Sequence, residues 1–79
     1  MKEEKLNNFI SIMKRELIKN SYKGDWEEYL DDNDMIKELY YHLNKLENSL
    51  KNNDVKWIEE HIADCSNILL FIGNSKNLY

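Results

Sequence analysis

Proline is absent from the 79 residues, and glycine occurs twice, cysteine once and alanine once. Each scarcity excludes something. Without proline no kink or rigid turn interrupts a helical pattern. With Cys65 alone no intrachain disulfide can form, and its place in an apolar stripe marks it as a small buried hydrophobe in a reducing compartment. Two glycines are too few for a phosphate-cradling loop, and no Rossmann, P-loop or zinc-finger pattern is present. The longest apolar run, Ile68 to Ile72, is far too short to span a bilayer. The amino terminus, M-K-E-E-K-L-N-N, is charged and no apolar signal segment follows it. These features predict a soluble, cytoplasmic protein without membrane contact.

The charge is uneven. Residues 1–24 carry six Lys or Arg against three Glu, whereas residues 25–64 carry four Lys against twelve Asp or Glu. An acidic centre argues against nucleic-acid binding, which needs a basic stripe to displace counterions.

What remains is helical periodicity, and it predicts a single all-α domain over 1–79. Leu6, Ile10, Met13 and Leu17, widened by Phe9, give a first helix over about 2–19. Ile36, Leu39, Leu43, Leu46 and Leu50 alternate three and four apart and give a second over about 34–51. Val55, Ile58, Ile62, Cys65, Leu69 and Ile72 repeat that spacing and give a third over about 54–72. The short break Asn52-Asn53-Asp54 makes the last two an antiparallel αα-hairpin, whose leucine stripes are expected to form its seam. Gly73-Asn74 is the expected C-cap, and Asp31, Asp32 and Asp34 are expected to cap and charge the start of the second helix.

A chain this short buries a limited core on its own. Ile68, Leu70 and Phe71 lie outside the seam, so the third helix is apolar over most of its last turns. Both facts predict a dimer or higher oligomer, with Ile68, Leu70 and Phe71 near the contact.

The connection 20–33 is long for so small a domain, and long loops are often functional. Lys23-Gly24-Asp25-Trp26 can bring charge, backbone and a flat ring to a ligand. Trp26, Tyr29 and Leu30 can equally cover the core. Beside the seam, the second helix carries Glu38, His42, Lys45 and Ser49, with Tyr41 near them. The third carries Trp57, His61 and Asp64, with Asn67 one further step on. Both histidines of the chain therefore border one groove. His42, His61 and Asp64 could supply three metal ligands, but Lys45 opposes a cation, so no metal and no cofactor are expected. No Ser or Cys stands beside a base for nucleophilic catalysis. Lys45, Lys23 and the histidines suit a phosphate, and Trp26, Tyr41 or Trp57 can stack on a base. The bland alternative is a solvated flank whose histidines pair with Glu38 and Asp64.

Three strings, N-S-Y-K-G-D-W, L-Y-Y-H-L-N-K-L and I-E-E-H-I-A-D-C-S-N-I-L-L-F-I-G-N, resemble the MazG-like all-α nucleotide pyrophosphohydrolases, above all the short phage-encoded kind. The resemblance covers roughly residues 20–74. It implies an α-helical fold completed by oligomerisation and a site where E-E-x-x-E and E-x-x-D carboxylates hold Mg²⁺ against a nucleoside triphosphate. Here those positions are Tyr41, His42, Lys45, His61 and Asp64, so Asp64 alone remains as a family-type ligand. Glu60 points about 100° away from the position it would have to fill. The expected function is therefore binding without catalysis: a nucleotide-binding protein, such as a phage sponge that sequesters a cyclic-oligonucleotide defence signal. The implied ligand residues are Lys23, Trp26, Tyr41, His42, Lys45, His61, Asp64 and Asn67. Two other functions stay open. One is weak Mg²⁺-dependent pyrophosphohydrolysis through Asp64, Glu60 and Glu38. The other is a protein-interaction module that presents the acidic loop Asp25 to Asp34 to a basic host protein.

Overall fold

The computed structural model describes residues 1–20 and 31–79. Lys23, Trp26 and most of the loop singled out above lie outside the described residues. Three helices run in chain order: α1 over Glu3–Lys19, α2 over Asp32–Lys51 and α3 over Val55–Ser75. No strand occurs among the described residues. No described helix is long and apolar enough to cross a membrane.

The helix starts follow their caps. The Asp31 carboxylate accepts from the Asp34 backbone N–H at 2.8 Å, so α2 begins two residues before the periodicity suggests. Asp54 does the same for α3, accepting from the Trp57 N–H at 3.5 Å. Both C-termini that close the hairpin and the chain use asparagine. Asn53 (φ 52°) and Asn77 (φ 57°) take the left-handed conformation. After α2, the Asp54 N–H donates to the Ser49 carbonyl and the Asn53 N–H to the Leu50 carbonyl. After α3, the Leu78 N–H donates to the Gly73 carbonyl and the Asn77 N–H to the Asn74 carbonyl. Each is a Schellman motif with Asn at the left-handed position.

The expected cap at Gly73-Asn74 is thus displaced by four residues. Gly73 is inside the last turn, buried, with the Tyr79 ring folded against it where a Cβ would collide. Asparagine tolerates the left-handed region better than other L-residues, which lose roughly 1–2 kcal/mol there. Asn53→Ala is expected to lower stability by about 1 kcal/mol and Asn53→Gly to leave it unchanged or higher, as read by urea unfolding.

α3 is the central element. It packs against α2 along the hairpin and against α1 on another side. The fully enclosed residues are accordingly concentrated on α3: His61, Ala63, Cys65, Asn67, Ile68 and Gly73. α2 contributes Met35 and Ser49, and α1 contributes Glu16.

This arrangement corrects the expected seam. Ile36, Leu43 and Leu50 of α2 and Val55, Ile62 and Leu69 of α3 are 37–70% exposed. Leu39 and Leu46 of the expected seam are half-buried, as is His42, and the most enclosed residues of α2 are Met35 and Ser49. The physical reason is that α3 has two partners on different sides and cannot centre one aliphatic stripe on both. The helices rotate so that small and polar side chains are enclosed and each stripe of seven-residue spacing becomes an apolar rail beside the contact. The α3 rail lines an apolar groove of about 350 Å³, in which Val55, Ile58 and Ile62 face Phe9 and Ile12 of α1.

Ile68, expected between copies, is 2% exposed and fully buried within the chain's own core. Leu70 and Phe71 are half-buried.

Candidate functional site

The polar edge of the hairpin contact line gathers the residues singled out in the sequence. His42 on α2 and His61 and Asp64 on α3 each offer a donor atom, and these atoms lie within 4.8 Å of one another. His42 Nδ1 is 3.6 Å and His61 Nδ1 3.9 Å from the same oxygen, Asp64 Oδ2. On its far side His42 Nε2 is 3.8 Å from Glu38. The two imidazole centroids are 6.4 Å apart. The Trp57 ring lies parallel to His61 at 5.6 Å, and the Tyr41 ring meets His42 edge-on at 5.3 Å.

Helical spacing produces this geometry. Trp57, His61 and Asp64 fall four and three apart on one side of α3. Glu38 and His42 fall four apart on α2, with Lys45 three further on, and the antiparallel hairpin sets the two series opposite each other.

Lys45 stands at the rim. Its Nζ is 4.2 Å from the centroid of the half-exposed Tyr41 ring, a cation–π pair that holds the ammonium at the outer side of His42. Its positive charge still reaches His42, whose pKa it helps to lower.

Asn67 is oriented otherwise. It is buried, and its Nδ2 donates to the Met13 carbonyl of α1 at 3.2 Å, so it ties α1 to α3 instead of reaching the groove. Lys23 and Trp26 lie outside the described residues. The structure therefore brings together Tyr41, His42, Lys45, His61 and Asp64, with Trp57 added, and separates Asn67 from them.

Burial dominates the electrostatics. It lowers the pKa of His42 below the ordinary imidazole value, against the opposing pull of Asp64 and Glu38. At neutral pH His42 is a neutral donor or acceptor and not a cation. Burial raises Asp64 above the ordinary carboxylate value, with His42 opposing. Burial likewise raises Cys65, an inert thiol as expected.

One contributor escapes sequence reading. Glu16 of α1 is 4% exposed, and its carboxyl pKa is raised by burial, with the charges of Glu60 and Asp64 adding to the rise and Lys19 opposing it. Its Oε2 is buried with no hydrogen-bond partner. The available signal was its place on the line Phe9, Met13, Glu16, Asn20, an acid standing where an apolar residue continues the stripe. Around α1, Arg15 pairs with Glu59, and Lys19 Nζ approaches Glu60 at 3.4 Å.

Comparison of the chain with protein-family models, with curated proteins and with solved structures returns no match. The arrangement itself therefore carries the chemical reading. Two imidazole nitrogens and one carboxyl group converge, with two aromatic rings and one ammonium beside them.

Proposed function

We propose that the chain binds a phosphate-bearing ligand of the nucleotide type at this cluster and holds it without cleaving it. The observation that carries the reading is the convergence of Tyr41, His42, Lys45 and His61 around Asp64 across the α2–α3 hairpin. Lys45, drawn off the Tyr41 ring, supplies charge to a phosphate, and the half-exposed Tyr41 and Trp57 side chains supply aromatic surface for a base. The imidazoles contribute hydrogen bonds, that of His42 without charge at neutral pH because burial lowers its pKa. The resemblance to MazG-like pyrophosphohydrolases supports the same ligand class. The exchange of that family's acids for Tyr41, His42, Lys45 and His61 supports loss of turnover.

In this reading the fold is a degenerate MazG-like one, and a second copy completes the bundle. The exposed rails Ile36–Leu43–Leu50 and Val55–Ile62–Leu69 support that association, since large aliphatic side chains in contiguous rows favour burial. Capture without turnover is what a sponge for a cyclic-oligonucleotide signal requires.

Calorimetry with a panel of linear and cyclic nucleotides tests the proposal. At least one member is expected to bind in the micromolar range with no product formed in the presence of Mg²⁺ or Mn²⁺. Lys45→Glu is expected to weaken that binding about tenfold or more, the equivalent of at least ~1.4 kcal/mol, with an unchanged melting temperature. Failure of every member to bind at high micromolar concentration would overturn it. Pyrophosphate release abolished by Asp64→Asn would replace it with the hydrolase reading.

A further inference from the structure

We propose that His42, His61 and Asp64 form a three-ligand site for a divalent transition-metal cation of the zinc class. The site does not rest on the nucleotide reading and requires no nucleotide. Three observations carry it. The first is geometric. His42 Nδ1 and His61 Nδ1 both face Asp64 Oδ2, at 3.6 and 3.9 Å. Donors on a tetrahedral ion with bonds of 2.0–2.1 Å lie about 3.3–3.5 Å apart. The two separations from Asp64 exceed that by a few tenths of an ångström, and the donor atoms of the two imidazoles lie within 4.8 Å of each other, so a bound ion draws the three side chains together.

The second observation is an unmet valence. His42 Nδ1 and His61 Nδ1 are buried and have no hydrogen-bond partner. His61 is 7% exposed, so its unpaired nitrogen is enclosed and aimed at the cluster. A buried polar atom without a partner is destabilising, and a bound ion is one of the arrangements that satisfies it.

The third is the surroundings. On its far side His42 Nε2 stands 3.8 Å from Glu38, the carboxylate–imidazole relationship that orients metal-bound histidines. Glu60 and Glu16 act electrostatically on Asp64 and add negative potential, which Lys19 partly offsets. The stacked Trp57 ring fixes the plane of His61. Among the described residues Lys45 is a cation that acts on His42, and its ammonium sits over the Tyr41 ring.

Two imidazoles and one carboxylate select zinc, cobalt, nickel or ferrous iron over magnesium, which requires a near-complete oxygen shell. Three protein ligands leave coordination positions open to water or to an oxygen of a further ligand.

The test is a titration of chelator-stripped, full-length protein with Zn²⁺ and, separately, with Co²⁺ and Mg²⁺. Zn²⁺ is expected to bind one per chain and, at hundredfold excess over Kd, to raise the melting temperature by about 10 °C or more. Mg²⁺ is expected to give no shift. His61→Gln and Asp64→Asn are each expected to weaken Zn²⁺ binding at least tenfold. Should either variant fail to fold, nitrogen NMR of the unaltered protein decides. Zn²⁺ must then move the Nδ1 resonances of both His42 and His61. Absence of one-to-one Zn²⁺ binding, binding unaffected by both substitutions, unmoved Nδ1 resonances or an equal response to Mg²⁺ would each overturn the assignment.

Discussion

Ile68→Ala is expected to destabilise the protein by about 3 kcal/mol, within the 2–5 kcal/mol range for deleting a buried aliphatic side chain. For a chain of this size that corresponds to a fall of about 12–24 °C in melting temperature. Ile68 is the largest side chain enclosed almost completely, and it lies on α3 between the elements that cover it. Truncation leaves a void that neighbouring side chains cannot fill without moving a helix. The measurement also separates two roles for this residue. A core residue loses the same stability at every protein concentration. A residue buried only between copies loses less on dilution, because the association term RT ln(1 + [L]/Kd) that it supports fades for wild type and mutant alike. Thermal melts over a hundredfold concentration range should therefore give a parallel displacement of mutant and wild-type curves. Convergence of the two at low concentration would return Ile68 to the surface.

Glu16→Gln is expected to do the opposite. The substitution keeps the shape of a buried side chain and removes a charge that has an unpartnered oxygen and two neighbouring acids. A gain of about 1 kcal/mol is expected at neutral pH, because an unsatisfied buried charge costs more than the neutral amide that replaces it, less the 3.9 Å contact with Lys19 that is given up. Its pH dependence is diagnostic. The folded pKa of Glu16 is raised above the ordinary value of 4.5, so the folded state holds the proton more tightly than the unfolded one. The stabilising contribution of the wild-type carboxyl is therefore complete below about pH 4.5 and is lost as pH rises through the folded value. The advantage of Gln should be largest at pH 7–8 and should disappear on acidification below 4.5. Urea unfolding of both proteins across this range checks it. A constant advantage at all pH values would mean that packing, not charge, is responsible. Wild-type stability also contains an opposing contribution from His42. Its folded pKa is lowered by burial, so protonation weakens the fold as pH falls below the ordinary value of 6.5. Comparing variant with wild type cancels that contribution.

The existence, number and order of the helices were legible from spacing alone, because 3.6-residue periodicity and the break at Asn52–Asp54 are local properties. The rotation of the helices was not. Leu43 and Ile62 occupy positions that a two-helix seam would bury, yet Ile62 lines the groove between α3 and α1 and Leu43 is left exposed. The helix ends were misplaced for a similar reason. Gly73 is the commoner residue for a left-handed cap, yet Asn77 takes that role and Gly73 makes room for Tyr79. The cluster was partly legible. His42, His61 and Asp64 share a groove because four- and three-residue steps place them beside the hairpin contact, and that is computable from sequence. The unpartnered state of their nitrogens, the parking of Lys45 on Tyr41 and the approach of Glu16 depend on side-chain directions set by tertiary packing. Asn67 shows the limit well. Its spacing from Asp64 is helical, but three residues also turn the side chain far enough to meet α1 instead of α2.

The way α1 is fastened has a consequence for ionic strength. Its ties to α3 include the exposed pairs Arg15–Glu59 and Lys19–Glu60 and the Asn67–Met13 hydrogen bond. Exposed ion pairs weaken as dissolved electrolyte shortens the Debye length from about 10 Å at 0.1 M toward 3 Å at 1 M. Amide hydrogens along residues 3–19 should then exchange with deuterium sooner than those of α2 and α3, and sooner still in concentrated salt. Each such opening admits solvent to the Glu16 carboxylate.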